Sequence, residues 1–135
     1  MTDPRNPFGL HTVTPYLLVN DVRSVVAFAQ AALGAEVRGD LRTREDGSVQ
    51  HAEIVIGNSV VMLGEPLGDE AGEEIGTLPA SLYVYVDDCE VAISRAVAAG
   101  GEIVLETATH DHGDRYGGVR DGSGNVWWIT QHVGR

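Results

Sequence analysis

The strongest constraint on this chain is that it repeats itself. Thr14-Pro-Tyr-Leu-Leu-Val-Asn-Asp21 returns 67 residues later as Ser81-Leu-Tyr-Val-Tyr-Val-Asp-Asp88. Each copy reads as a strand that ends in an aspartate at a helix N-cap, where a carboxylate accepts from the free N–H groups of the first turn. Helical periodicity follows both times. Val22, Val25, Val26, Ala29, Ala32 and Leu33 share one face, and so do Cys89, Ala92, Ile93, Ala96 and Val97. That i, i+3, i+4 spacing gives each helix one apolar stripe to lay on a sheet. Both helices run into glycine, at Gly34 and at Gly100-Gly101, as helix C-termini favour. The same offset sets Gly34-Ala-Glu-Val37 over Gly101-Glu-Ile-Val104.

Three short strands are expected after each helix. In the first half they cover about 36–43, 50–56 and 59–65, with turns at Glu45-Asp46-Gly47 and Gly57-Asn58. In the second half they cover about 102–107, 117–120 and 126–132, with a tight turn at Asp121-Gly-Ser-Gly124. The repeated unit is therefore βαβββ. One α+β domain over 1–135 is expected, with a first module at about 12–65, a mobile Gly- and Glu-rich linker at 66–79, and a second module at about 80–133. The two modules form a cup-shaped mixed sheet with the helices outside.

Strand parity assigns the faces. Leu17 and Val19, with Leu82, Val84 and Val86, suit the helix-covered side. So do Ala52, Ile54, Ile56, Val61, Leu63, Trp127 and Ile129. The opposite face then carries Thr14, Tyr16 and Leu18; Ser81, Tyr83 and Tyr85; His51, Glu53 and Val55; and Met62 and Trp128. A face that mixes aromatic and polar groups suits a ligand pocket. It also suits a plain protein contact, where tyrosine and tryptophan are common.

Composition narrows the function. With 20 acidic and 9 basic residues the net charge is −11, which argues against a nucleic-acid partner and is compatible with a cationic ligand or a merely solubilising surface. No apolar run reaches the roughly 18–20 residues of a membrane span. Residues 1–9 lack the apolar core of a signal peptide. One cysteine, Cys89, allows no internal disulfide, so a cytoplasmic setting without membrane association is expected. On the apolar stripe of its helix Cys89 reads as a buried structural thiol. His11 and His132 read as surface residues. His110-Asp-His112 places two imidazoles and a carboxylate together and could take up a metal adventitiously.

Together these features resemble the vicinal oxygen chelate superfamily of glyoxalase I, extradiol dioxygenases, fosfomycin-resistance enzymes and bleomycin-binding proteins. The resemblance covers about 12–133. It rests on Thr14–Asp21 leading into Ala32-Leu-Gly-Ala-Glu36, on His51-Ala-Glu-Ile54, and on Gly113-Asp-Arg-Tyr-Gly117 running through Asp121-Gly-Ser-Gly-Asn-Val-Trp128. These segments are most similar to the PhnB-like, glyoxalase-like branch, whose late turn reads Asp-Pro-x-Gly where this chain has Gly122. The resemblance implies the glyoxalase/bleomycin-resistance fold and a homodimer.

It also implies four metal-ligand positions, filled in the family's metalloenzymes by His, Gln or Glu. Here they are Thr14, Met62, Ser81 and Trp128, none a good ligand for a divalent metal. No metal and no other cofactor is therefore expected. One implied function is a metal-free binder of a small aromatic or cationic compound, with Tyr16, Tyr83, Tyr85 and Trp128 as its aromatic wall. Arg115 would pair with a ligand carboxylate or brace Asp114 or Asp121. The alternative is an enzyme, a lyase, isomerase or dioxygenase, using His51 and Glu53 as base and orienter with or without a divalent metal. The third is an interaction module with no ligand.

Overall fold

The computed structural model describes residues 10–66, 76–110 and 113–134. The chain divides into two compact units, Met1–Val22 with Ala35–Leu78 and Arg23–Gly34 with Pro79–Arg135. The elements run β1 (Tyr16–Leu18), α1 (Val22–Leu33), β2 (Glu36–Val37), β3 (Arg42–Thr43), β4 (Val49–Ile56), β5 (Ser59–Gly64), β6 (Ser81–Tyr85), α2 (Cys89–Ala98), β7 (Glu102–Thr109), β8 (Asp114–Arg120) and β9 (Val126–His132). Among the described residues two mixed sheets and two helices make an α+β fold, and each half follows the expected βαβββ order, the first with one strand divided in two.

Among the described residues the first sheet has the order β1-β5-β4-β2, with β3 also paired to β4. β1 runs parallel to β5, with Tyr16 opposite Met62. β4 and β5 form an antiparallel hairpin, with Glu53 opposite Met62. The single strand expected at 36–43 is split into β2 and β3. Gly39 lies between them at φ +71°, a conformation open to glycine that ends the extended run. Leu17, Val19, Ala52, Ile54, Val61 and Leu63 are all buried, as parity requires; Ile56 is only half-buried.

The Glu65 carboxylate, just past β5, holds this unit together. It accepts from the N–H of Val49 at 2.8 Å and from the N–H of Val22 at 2.8 Å. One side chain thus takes an orphan donor of the first turn of α1 and fixes the start of β4. Local reading assigned that turn to Asp21 and had no means of finding a partner 43 residues away. Of the connecting segment 66–79, residues 67–75 lie outside the described ones, and the N–H of Leu78 returns to the carbonyl of Leu18 at 2.9 Å.

The second sheet has the order β6-β9-β8-β7. β6 runs parallel to β9, with Tyr83 opposite Trp128. β8 and β9 form a hairpin that sets Val119 opposite Trp127 and Gly118 opposite Trp128. Asp88 caps α2 as expected, accepting from the N–H groups of Glu90 at 3.1 Å and Val91 at 3.2 Å. The N–H of Cys89 goes to Gln131 Oε1 on β9 at 3.1 Å, which ties the helix to the sheet. From Arg23 on, α1 belongs with this sheet and not with the one that precedes and follows it in sequence. Phe28 meets the Trp127 ring at a centroid distance of 6.1 Å. Its edge also crowds Gly101, where a Cβ would lie 2.9 Å from Phe28 Cε1. No helix among the described residues is long and apolar enough to cross a membrane.

The Asp121 turn carries the densest polar packing. Asp121 Oδ1 accepts from the N–H groups of Ser123 at 2.9 Å and Asn125 at 3.1 Å. Oδ2 accepts from Asn125 Nδ2 at 3.0 Å and from Trp127 Nε1 at 2.8 Å. Asn125 Oδ1 in turn accepts from the N–H of Ala80 at 2.9 Å, joining the entry of β6 to the hairpin. Asp121, Asn125 and Trp127 are all buried, so each donor left without this carboxylate would cost about 1–3 kcal/mol. We expect Asp121→Ala to lose at least about 3 kcal/mol of unfolding free energy in urea titration, against about 0.5 kcal/mol or less for the exposed Asp87→Ala.

Candidate functional site

The face of the second sheet turned away from α2 is aromatic. Tyr83 and Tyr85 alternate out of β6, Tyr116 rises from β8, and Trp128 from β9. Tyr83 stands edge-on to Tyr85 and to Tyr116, each at 5.6 Å between centroids. Tyr116 stands edge-on to Trp128 at 6.3 Å and is stacked by His110 at 4.0 Å. Tyr83 and Tyr85 remain open, at 46% and 61% exposure.

A buried carboxylate organises this face. Asp114, 4% exposed, accepts on Oδ2 from the hydroxyls of Tyr83 at 2.7 Å and Tyr85 at 2.8 Å. Its Oδ1 lies 2.8 Å from His132 Nδ1. Both tyrosine rings are thereby held at their tips and present their faces without a free rotor. Trp128 is held likewise, its Nε1–H donating to Ser81 Oγ at 2.7 Å. Its ring lies across Gly118, where a Cβ would come within 2.7 Å of Trp128 Cζ3. Only glycine at that position lets the indole lie flat on the sheet.

The first unit holds a different arrangement. A cleft of about 400 Å³ is lined by Arg38, Arg42, His51, Glu53 and Met62. His51 Nε2 lies 2.9 Å from Glu53 Oε2, and Arg38 lies 3.6 Å from Glu53 Oε1. Tyr16 flanks the group, its ring 6.2 Å from that of His51.

The structure thus brings Tyr83, Tyr85 and Trp128 onto one face, and His51 with Glu53 into one cleft. Tyr16 stands with the latter pair. Arg115 is not on the aromatic face. It follows Asp114 on β8 and so points to the helix side, where it meets Glu90 at 3.4 Å and Thr109 at 3.2 Å; it braces neither Asp114 nor Asp121. His132, read as a surface residue, is largely exposed at 63% of its side chain but is bonded to Asp114. Cys89 is fully buried, and burial pushes its thiol up. Of the His110-Asp-His112 group, Asp111 and His112 lie outside the described residues.

Sequence reasoning missed Asp114, Tyr116, Arg38 and Arg42 as site residues, and read His110 only as part of an adventitious metal group. Parity along β8 was the available signal, since Asp114 and Tyr116 alternate with Arg115 as Tyr83 and Tyr85 alternate with Val84.

The four positions that would hold a metal in the family's enzymes do not fit one here. Ser81 and Trp128 are hydrogen-bonded to each other. Met62 offers a half-buried thioether, and Thr14 Oγ1 turns to the carbonyl of His11 at 3.4 Å. Two hydroxyls, a thioether and an indole are not a donor set for a divalent ion. Among the described residues no three His, Cys, Asp or Glu side chains gather around a common point.

Paired βαβββ units with an aromatic and polar sheet face define the class of small proteins built on the glyoxalase fold. The chain belongs to the Glyoxalase/Bleomycin resistance protein/Dioxygenase superfamily, whose model matches residues 9–129. It is similar in structure to TioX from Micromonospora sp. ML1, at 24% identity and a TM-score of 0.67, over 91% of this chain and 97% of that one. A glyoxalase-related enzyme from Fulvimarina pelagi matches at 20% identity and a TM-score of 0.66, over 90% and 88% of the two chains. A PhnB protein from Bacillus cereus matches at 17% identity and a TM-score of 0.68, over 90% and 99%. At these identities the likeness is one of fold. No curated protein matches the sequence.

The Asp114 network has a titration signature. Desolvation and then the hydrogen bond to Asp114 push the Tyr83 phenol from 10.0 up to about 12. Tyr85's own hydrogen bond to Asp114 is the first cause of a rise at Tyr85. Tyr83 is nearly half exposed, so the effect acts at its hydroxyl, turned onto the buried carboxylate. Between about pH 10 and 12 the unfolded chain releases this proton first, so the contribution is whole below pH 10 and is lost as pH rises through that window. Ultraviolet phenolate titration of the native protein should show a late-ionising tyrosine that Tyr83→Phe removes.

Proposed function

We propose that this protein is a metal-independent small-molecule binder of its superfamily, holding a planar aromatic or cationic compound against Tyr83, Tyr85 and Trp128. The observation that carries the reading is Asp114. One buried carboxylate fixes two tyrosine hydroxyls, so the ring faces are set before a ligand arrives and little side-chain entropy is lost on binding. Flat rings stack a planar ligand, at about 0.5–1.5 kcal/mol per aromatic pair beyond area burial. A cation over these rings gains a similar amount, and the acidic chain draws it in. In this reading no divalent metal or other cofactor takes part, and the protein is a cytoplasmic homodimer, the commonest assembly of soluble proteins. The likeness to the PhnB protein supports placing it near that branch.

The His51–Glu53 contact favours a second reading, that of an enzyme working in the first unit's cleft. If Nε2 carries the proton toward Glu53, Nδ1 is the basic nitrogen, and Glu53 holds the ring for proton abstraction. Loss of an isomerase or lyase activity in His51→Ala, with ligand binding at the aromatic face intact, would mark it.

The binding reading is tested by a matched pair of variants. Trp127 is fully buried and Trp128 is not. Trp127→Ala should lose roughly 3–5 kcal/mol of stability. Trp128→Ala should fold near normally and weaken binding of a planar cation such as ethidium by about tenfold. Unfolding of Trp128→Ala together with a silent Trp127→Ala would reverse the assignment of faces.

A further inference from the structure

We propose that the cleft of the first unit is an oxyanion site, which takes the carboxylate or phosphonate of a small organic acid on Arg42 and Arg38. The site uses different residues from the aromatic face and stands independently of it.

Two guanidinium groups and one carboxylate line this cleft. Its lining thus holds two cationic groups to one anionic group, in a chain whose net charge is −11. Glu53 is already shared, with Arg38 at 3.6 Å and His51 at 2.9 Å. Arg42 has no acidic partner among the described residues. With Nε2 turned to Glu53 at 2.9 Å, His51 adds a positive charge and a second N–H donor at Nδ1 when it is protonated.

The backbone explains why both arginines reach one place. The N–H of Arg38 donates to the carbonyl of Glu53 at 2.8 Å, which fixes it beside β4. Gly39 then turns the chain at φ +71°, and Arg42 pairs with His51 on the same strand. Arg38 and Arg42 thus meet Glu53 and His51, two alternate residues of one face of β4.

A guanidinium presents parallel N–H groups that match the two oxygens of a carboxylate or phosphonate. Met62, opposite Glu53, supplies the apolar wall for the body of the acid. The volume of about 400 Å³ lies in the range of small-ligand sites, about 300–1,000 Å³. An amine would meet two like charges here and a carboxylate already engaged.

Benzoate, phenylphosphonate and benzylamine are suitable probes for the full chain, read by calorimetry and by the ring signals of ¹³C-labelled histidine. At least one of the two anions should bind and shift His51, and benzylamine should not. Binding of both points to a carboxylate ligand, and binding of phenylphosphonate alone to a phosphonate. Arg42→Gln should weaken the anion by about tenfold or more, and Arg42→Lys, which keeps the charge but loses the fork, by less. Arg42 is exposed, so both variants should keep the wild-type melting temperature. Trp128→Ala should leave anion affinity unchanged, which separates this site from the aromatic face. Benzylamine binding in place of both anions would overturn the proposal. So would anion affinity that survives the double change Arg38→Gln/Arg42→Gln, or that is lost in Trp128→Ala.

Discussion

The second unit depends on one buried carboxylate, that of Asp121. Among the described residues it has no cationic partner and is satisfied by N–H donors, from Ser123, Asn125 and Trp127. A buried charge is tolerable only when its lone pairs are taken up in this way. The donors come from the turn and from the strand after it, so satisfying the charge fixes the register of β8 on β9. A slip of one residue would exchange Trp127 and Trp128 between core and aromatic face. The hydrogen bond to Trp127 Nε1 at 2.8 Å opposes that slip. The shape of the aromatic face is therefore decided by a turn that is not part of it.

The two units solve the same problem with different side chains. Each half of the sequence must close a βαβββ run by laying its first strand parallel beside its last, a pairing that no hairpin can guide. In the first unit Glu65 does this by bonding the start of the helix and the start of β4. In the second, Asn125 bonds the entry of β6 and Gln131 bonds the start of α2. In each case a side chain at the end of a hairpin reaches a distant N–H. The sequence repeat preserves strands and helices, and these long-range ties differ between the copies.

The faces differ too, and this bears on function. The first unit gathers charge around Glu53, and the second gathers aromatic rings around Asp114. One carboxylate is shared by guanidinium and imidazole in a cleft of about 400 Å³. The other is shared by two phenols and an imidazole. Duplicated units can diverge in this way in the chemistry of their faces while keeping one fold.

Periodicity alone determined the repeat, both helices, most strands and the side of the sheet on which each tryptophan stands. These follow from local sterics, since alternation in a strand and the helical turn are properties of the backbone. The family was legible for the same reason, in the strand-to-helix motif and the late glycine turn. The sheet on which α1 packs was not legible, because an apolar stripe specifies burial and not its partner. Phe28 found Gly101 and Trp127 only once the chain had folded. The break at Gly39, the joining of Arg38 and Arg42 in one cleft, and the turning of Arg115 toward Glu90 were likewise decided by tertiary structure. Asp114 is the clearest case. It stands in sequence as one of 20 acidic residues, and only strand pairing brings it Tyr83, Tyr85 and His132, because hydrogen bonds between distant residues are set by register and burial, which no local pattern encodes.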